Sequence, residues 1–384
     1  MHAVATIVVL AALKLTLRLE LGAEYDSNAN RAEVVKGATT TDEPTGSFLA
    51  RSTARFGVAW RAGPNTLRAN ALTGGKLFFD GRVQDQNILV GSLSLDDRVR
   101  LARSADLSFA VDYYDAAQQT VIEGCAVRSC DRHRDFRSGT VVTRLSLFDD
   151  PGELTLVGGY RGFEWKPDPS FDFHAGQAQA TAIVRLTAGA ERRHEIDLTA
   201  GYVLERRFYR GLAEANRCPP GTPVVDGCLA FTDVGRSDWF HQAAVDVTYI
   251  GPVLVGVGYA LQLTRSNSFG QSLLRHILTL KLSARLPWSL YVTLKGQLLA
   301  NRYLDPILLD RQVNSQTFIS IEDENRNAFI ADVERPIGKS GVAIEGRYSV
   351  FTNELSASPV SFLRHVVYLG ASYRWSGAPG SKGR

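Results

Sequence analysis

The sequence predicts an all-β chain: a transmembrane antiparallel β-barrel of about sixteen strands, with short periplasmic turns and long external loops. Three observations carry this. Apolar and charged residues alternate with a period of two along nearly the whole chain, as strands walling lipid from water require. The periodic segments run about 9 to 14 residues, the length a tilted strand needs to cross a bilayer. The connections between them alternate long and short from first to last, a plan that a soluble sandwich has no reason to keep.

Composition is compatible with this and decides nothing by itself. The 384 residues are 45% hydrophobic and 22% charged, with 34 Gly, 14 Pro and a net charge of +3. Barrel strands hide apolar content in alternation, so overall hydropathy stays near neutral. A balanced charge without a concentrated basic face argues against a nucleic-acid partner. The run Ala3 to Leu13 is too short to cross a membrane as a helix. It reads as the hydrophobic part of a secretory signal that lacks the usual positive start. The expected division is therefore 1–13 signal sequence, 14–375 barrel and 376–384 flexible tail.

From Lys14 the alternation begins at once, with Leu15, Leu17, Leu19 and Leu21 on one face and Lys14, Arg18, Glu20 and Glu24 on the other. A polar loop to about Gly46 follows. Phe48 to Arg61 then sets Ala54, Phe56, Val58 and Trp60 against Arg51, Thr53 and Arg55, and closes on the turn Ala62-Gly63-Pro64-Asn65. The same unit recurs as Thr66–Phe79, Asn87–Leu101, Asp106–Tyr114, Ser138–Phe148, Glu153–Trp165, Phe173–Thr187 and His194–Tyr209. It continues as Trp239–Ile250, Val253–Ser266, Ser272–Leu286, Ser289–Tyr303, Asn327–Arg335, Gly341–Asn353 and Leu363–Trp375. The competing fold is a soluble sandwich, in which faces such as Val253, Val255, Val257, Tyr259, Leu261 and Leu263 would meet one another in a core.

Four cysteines fall as two near pairs, Cys125 with Cys130 and Cys218 with Cys228, each in a long polar connection. His133 is the only companion at ligand spacing, so a disulfide within each loop is preferred over zinc. No cofactor or metal motif is found. A hydrolase would need a His and a Ser within reach, but the register puts His241 and His276 on the lipid side. Ser266 and Ser268 have no His beside them. Asp332 and Glu334 share a strand face, where acids more often meet cations than do acid–base work. The chain is therefore expected not to be an enzyme.

A closed sheet of this size leaves a watery interior, so the inward face is where function is expected. Its basic candidates are Arg18, Arg51, Arg55, Arg68, Arg98, Arg144, Arg161, Lys281, Lys295 and Arg347. The acidic ones are Glu20, Glu24, Asp112, Asp197, Asp246, Asp332, Glu334 and Glu345. Arg51 and Arg55 fall near Arg18 and Arg68, one basic wall, while Asp332 and Glu334 face Glu345 and Lys295. Segregated charges would set up a field across the lumen suited to hydrated solutes. The plainer alternative is that they pair across strands and stiffen the wall.

The last strand carries Tyr368, Gly370, Tyr373 and Trp375 at a spacing that resembles the C-terminal signal read by the assembly machinery of Gram-negative outer-membrane barrels. The opening Glu24-Tyr25-Asp26-Ser27-Asn28-Ala29-Asn30-Arg31 resembles the first strand of exopolysaccharide-export and surface-lipoprotein-translocation barrels. The family's helical-repeat periplasmic domain is absent, so a separate periplasmic export protein would have to supply it. The resemblance implies an outer-membrane pore for a polar polymer such as an exopolysaccharide, with aromatic and acidic lumen residues as sugar platforms. It also implies contact with outer-membrane lipid and lipopolysaccharide, and both termini in the periplasm. Alternatives are a passive porin for small polar solutes, with 304–325 folded inward as a constriction, or an anchor whose external loops bind a partner.

Overall fold

In the computed structural model the described residues are 12–32, 34–35, 43–118, 135–166, 168–188, 194–220, 228–305, 326–353 and 360–377. Residues 1–11 of the expected signal segment, the pair Cys125 and Cys130, most of the 304–325 constriction and most of the tail lie outside them; Ala12 and Leu13, expected to end the signal, already pair in the first strand. The strands are β1 (Ala12–Asp26), β2 (Val34–Val35), β3 (Ser47–Ala62), β4 (Asn65–Phe78), β5 (Ile88–Ala102), β6 (Ala105–Gln118), β7 (Phe136–Asp149), β8 (Gly152–Trp165) and β9 (Phe173–Ala188). They continue as β10 (His194–Asn216), β11 (Leu229–Ile250), β12 (Val253–Ser266), β13 (Leu273–Leu286), β14 (Leu290–Tyr303), β15 (Asn327–Pro336), β16 (Val342–Thr352), β17 (Val360–Ser361) and β18 (Leu363–Gly377). β2 and β17 form a small separate pair; the other sixteen close into one antiparallel barrel, sealed where β1 pairs with β18.

Each strand pairs with its sequence neighbour in the barrel, so short turns collect at one end and long connections at the other. At the turn end residues 63–64, 103–104, 150–151 and 251–252 suffice to reverse the chain. Gly63 takes φ +58° there, a left-handed value that glycine adopts at little cost. The outer wall is apolar: Leu21, Leu93, Leu156, Val247, Leu280 and Leu369 are all exposed. Aromatic residues edge it at both ends, with Trp60, Tyr249, Trp288 and Trp375 near the turns and Tyr25, Phe48, Tyr113 and Trp239 near the loops. An apolar band between aromatic edges is stable against hydrocarbon, not water.

The structure departs from the sequence reading in the segment 210–238. Expected as a loop, it is largely strand: β10 and β11 run past the barrel wall as a hairpin carrying Cys218 and Cys228, which are joined by a disulfide. The register shifts between Phe208 and Leu212 and again before Glu214. Those bulges break the period of two where the hairpin leaves the wall, and its polar faces no longer alternate against lipid.

Candidate functional site

The site is the lumen, and backbone register determines which side chains enter it. Ion pairs that skip a strand identify the concave side. Lys76 of β4 reaches Glu24 of β1 at 2.6 Å, Arg144 of β7 reaches Asp96 of β5 at 3.0 Å, and Arg18 of β1 reaches Glu345 of β16 at 3.1 Å. Two strand spacings of about 4.8 Å are bridged by side chains that converge inward and would splay apart outside. By the pairings, all of Arg18, Glu20, Glu24, Arg51, Arg55, Arg68, Arg98, Asp112, Arg144, Arg161, Asp197, Asp246, Lys281, Lys295, Asp332, Glu334, Glu345 and Arg347 lie on that inward face.

Three groups form. The first lies beside the seam at the loop end. Glu24, fully buried, accepts from Lys76 and sits 3.5 Å from Arg51, while Arg364 grips Asp26 with two bonds of 2.9 Å from its Nε. Tyr368 lies beneath Arg51 and Arg347, at 5.2 and 5.5 Å from its ring centroid. Its ring crosses the two facing glycines Gly22 and Gly370: a Cβ on Gly22 would fall 2.5 Å from the ring and one on Gly370 2.7 Å from Leu21 O. Of the four residues read as an assembly signal, Tyr368 and Gly370 thus make an inner contact, whereas Tyr373 and Trp375 are on the outer wall.

The second group is Arg161, Glu205 and Arg207. Glu205 accepts from Arg207 Nε at 2.9 Å and lies 3.6 Å from Arg161, and Arg207 also stacks over Phe240 at 4.3 Å. Beside it five rings from five successive strands follow one another: Tyr114, Phe136, Phe163, Phe173 and Tyr209, with neighbouring centroids 5.2 to 5.5 Å apart. Phe136, Phe163 and Phe173 are 3–5% exposed. They pack the wall and are not open as the sugar platforms the resemblance implied.

The third group is nearer the turn end, where inward charges stand apart. Arg55, Arg61 and Arg68 on β3 and β4 make no ion pair among the described residues, although Arg68 stands opposite Asp96; half the barrel away on β10 and β11 Asp246 makes none either, and Asp197 stands opposite Arg185 of β9, whose guanidinium binds Glu153. The expected acidic wall at Asp332, Glu334 and Glu345 is neutralised instead. Arg347 binds Asp332, Arg374 binds Glu334, and Lys295 lies 3.7 Å from Asp332, because β16 and β18 bring arginines to the same rungs.

Between these groups lies a cavity of about 710 Å³. Its wall carries Ser92, Ser94, Ser138, Thr140, Gln177, Gln179, Gln242, Gln262 and Gln297, with Arg161, Glu205, Arg207 and Asp112. Gln262 donates to Gln242 at 2.7 Å. Inward charges alone do not mark this band of neutral amides and hydroxyls in the sequence. Its signal was available in the inward glutamines of β9, β11, β12 and β14. Such a lining offers hydrogen bonds of both polarities and can exchange for a solute's hydration shell.

No group of three or more His, Cys, Asp or Glu that could hold a metal occurs among the described residues. The described histidines sit outside the lumen: His241, His276 and His365 hydrogen-bond through Nδ1 to Tyr202, Tyr259 and Tyr348 on the outer wall. Ser266 and Ser268 serve loop geometry, Ser266 Oγ accepting from Ser268 N and Ser268 Oγ from Glu214 N. At the loop end Lys166, outside the strands, ties Asp115 to Asp135. Burial works against its charge, but the hydrogen bonds to the two carboxylates prevail and hold the ammonium above its ordinary pKa.

No family model matches the chain, and no curated protein matches it. Solved structures do. A BenF-like porin from Pseudomonas fluorescens Pf-5 is 10% identical, with 96% of this chain and 99% of that one covered and a TM-score of 0.46. OccAB2 of Acinetobacter baumannii is 10% identical over 95% and 98%, with a TM-score of 0.45. Outer-membrane expressed OmpT of Vibrio cholerae is 12% identical over 95% and 97%, with a TM-score of 0.42. These likenesses concern the fold alone. The chain is a closed, sixteen-strand antiparallel β-barrel with an apolar outer wall and a polar, charge-bearing lumen.

Proposed function

We propose that the chain is an outer-membrane pore of the porin type, admitting small hydrophilic solutes, with its turn end and both termini facing the periplasm. The observation that carries this is the 710 Å³ cavity walled by glutamine, serine and threonine around the Arg161–Glu205–Arg207 cluster. Its volume falls in the range of sites that take one small molecule, about 300–1,000 Å³. The neutral amides favour polar solutes without demanding a charge. The opposed groups Arg55, Arg61, Arg68 and Asp197, Asp246 would orient a dipolar or zwitterionic one on its way.

Export of a polymer gains no comparable support. Phe136, Phe163 and Phe173 are buried in the wall, and Tyr114 and Phe240 beside the cavity are half-buried rather than presented as an open stack. Insertion into the outer membrane would still require the barrel-assembly machinery, with the last strand as its substrate. The test is reconstitution of the purified chain into planar bilayers and into liposomes loaded with an impermeant polymer. Steady conductance, with swelling in monosaccharides and amino acids but not in long oligosaccharides, is the expected result. Absence of any conductance overturns the pore and leaves an anchor. Passage of long oligosaccharides at comparable rates returns the reading to polymer transport.

A further inference from the structure

We propose that the loop-end outer wall across β10–β14 binds the phosphate-bearing headgroup of a lipid in the surrounding leaflet. The observation is a set of outward arginines set in an otherwise apolar wall. Arg206 of β10 is the register partner of Trp239 of β11, and Trp239 is the partner of Arg265 of β12. Two strands on, Leu263 pairs with Leu274, which pairs with Arg302 of β14. The three guanidiniums therefore span four inter-strand steps, about 20 Å of wall at about 4.8 Å each.

All three occupy positions that alternate away from the lumen, because Arg207, Thr264 and Asn301 are the inward neighbours in those strands. Arg265 and Arg302 are exposed, and Arg206 is half-buried between aromatics, with its Cζ 4.7 Å from the Trp239 ring and 5.3 Å from Phe208. That stacking orients the guanidinium without using its charge; it donates a hydrogen bond to Ser237 Oγ at 2.9 Å. None of the three has an acidic partner among the described residues, whereas the nearby outward arginines Arg137 and Arg210 are paired with Glu164 and Asp172.

The occupant follows from the neighbourhood. Immediately toward the turn end the same strands present Leu204, Leu263, Leu274 and Leu298 outward, continuous with the wall that faces acyl chains. A ligand seated here must combine hydrocarbon below with concentrated negative charge above. A phosphorylated lipid headgroup has that form; a soluble acidic protein would leave the leucines without a partner. This inference rests on the proposed orientation, in which the long connections face outward and the headgroup layer meets this end of the wall.

The test uses the full chain in detergent and vesicles of phosphatidylcholine doped with lipid A, either carrying its phosphates or enzymatically dephosphorylated. The wild-type chain is expected to retain phosphorylated lipid A through purification and to bind it in preference to the dephosphorylated form. Each arginine near a charged leaflet is worth about fivefold, so Arg206→Gln, Arg265→Gln and Arg302→Gln together should weaken binding roughly a hundredfold. Conductance should be unchanged in that variant. Unchanged lipid A binding by the folded triple variant, or equal binding of the dephosphorylated lipid, overturns the proposal. Arg265→Lys with Arg302→Lys keeps the charge and should retain most of the binding; loss of binding there, in a chain that still shifts on heating in gels, counts against a charge-based site. If the wild-type chain fails to conduct yet binds phosphorylated lipid A, the pore reading fails and this one stands.

Discussion

Replacing Glu24 by Gln should destabilise the barrel more than any other single change of charge in the lumen. The carboxylate is fully buried, its partner Lys76 is 2% exposed, and Arg51 lies 3.5 Å away on the other oxygen. The amide keeps the shape but strips the Lys76 ammonium of the carboxylate it donates to and removes one of the negative charges beside Arg51. Removing one member of a buried pair costs about 3–5 kcal/mol, chiefly because the remaining charge is stranded away from water. Replacing the pair with apolar groups is far cheaper, so adding Lys76→Met to Glu24→Gln should restore much of the loss. The assay is equilibrium unfolding in guanidinium, with the chain in detergent micelles and tryptophan emission as readout. A midpoint shift at constant slope gives the difference. A loss under about 1 kcal/mol for Glu24→Gln, or a double variant no better than the single one, would refute this account of the seam.

Gly370→Val should clash with the Tyr368 ring and the β1 backbone, costing about 1–3 kcal/mol and slowing appearance of the folded, heat-modifiable band in gels. Full stability in that variant would show that the ring does not need the glycine. Asp197→Asn with Asp246→Asn removes the acidic side of the turn-end field, so reversal potentials in a salt gradient should move toward anion selectivity; no movement would place the ion path elsewhere. Asp80, in the loop after β4, has its carboxyl lowered to about 2 by the side-chain and backbone hydrogen bonds of Arg82. Because the folded value is below the ordinary 3.8, this contact helps the fold above that pH and is lost as pH falls through about 2. Carbon-detected titration of Arg82→Gln should find the carboxyl raised toward its ordinary value but still below it, because the residue-82 amide goes on donating to it.

Most of the barrel was legible because a wall between lipid and water imposes a period of two that few other environments demand. In β12, Val253 to Leu263 alternate outward against Leu254, Gly256, Gly258, Ala260 and Gln262, and the strand is found where it was expected. The pattern blurs at the loop ends, where Ile88 and Val90 of β5 turn inward beside outward Leu89 to join Phe136, Phe163 and Phe173 in a buried cluster. Apolar residues on both faces carry no phase information. In the lumen, position on a face could be read but partnership could not. Arg18 and Glu345 are 327 residues apart and meet only because β1 closes on β18, so which charges are neutralised depends on ring closure. Neutral glutamines from four strands converge on one cavity for the same reason, with no local mark in any one strand.

The central claim is that one face of these strands meets acyl chains and the other encloses water. Single cysteines placed at Val257 and Leu278 on the outer wall, and at Gln262 and Gln297 on the inner one, can be challenged in lipid vesicles with a charged, membrane-impermeant thiol reagent. The account predicts rapid labelling at the two glutamine positions and protection at Val257→Cys and Leu278→Cys until a lipid-soluble reagent is used. Equal aqueous labelling on both faces, or a chain that stays dispersed without detergent, would contradict it.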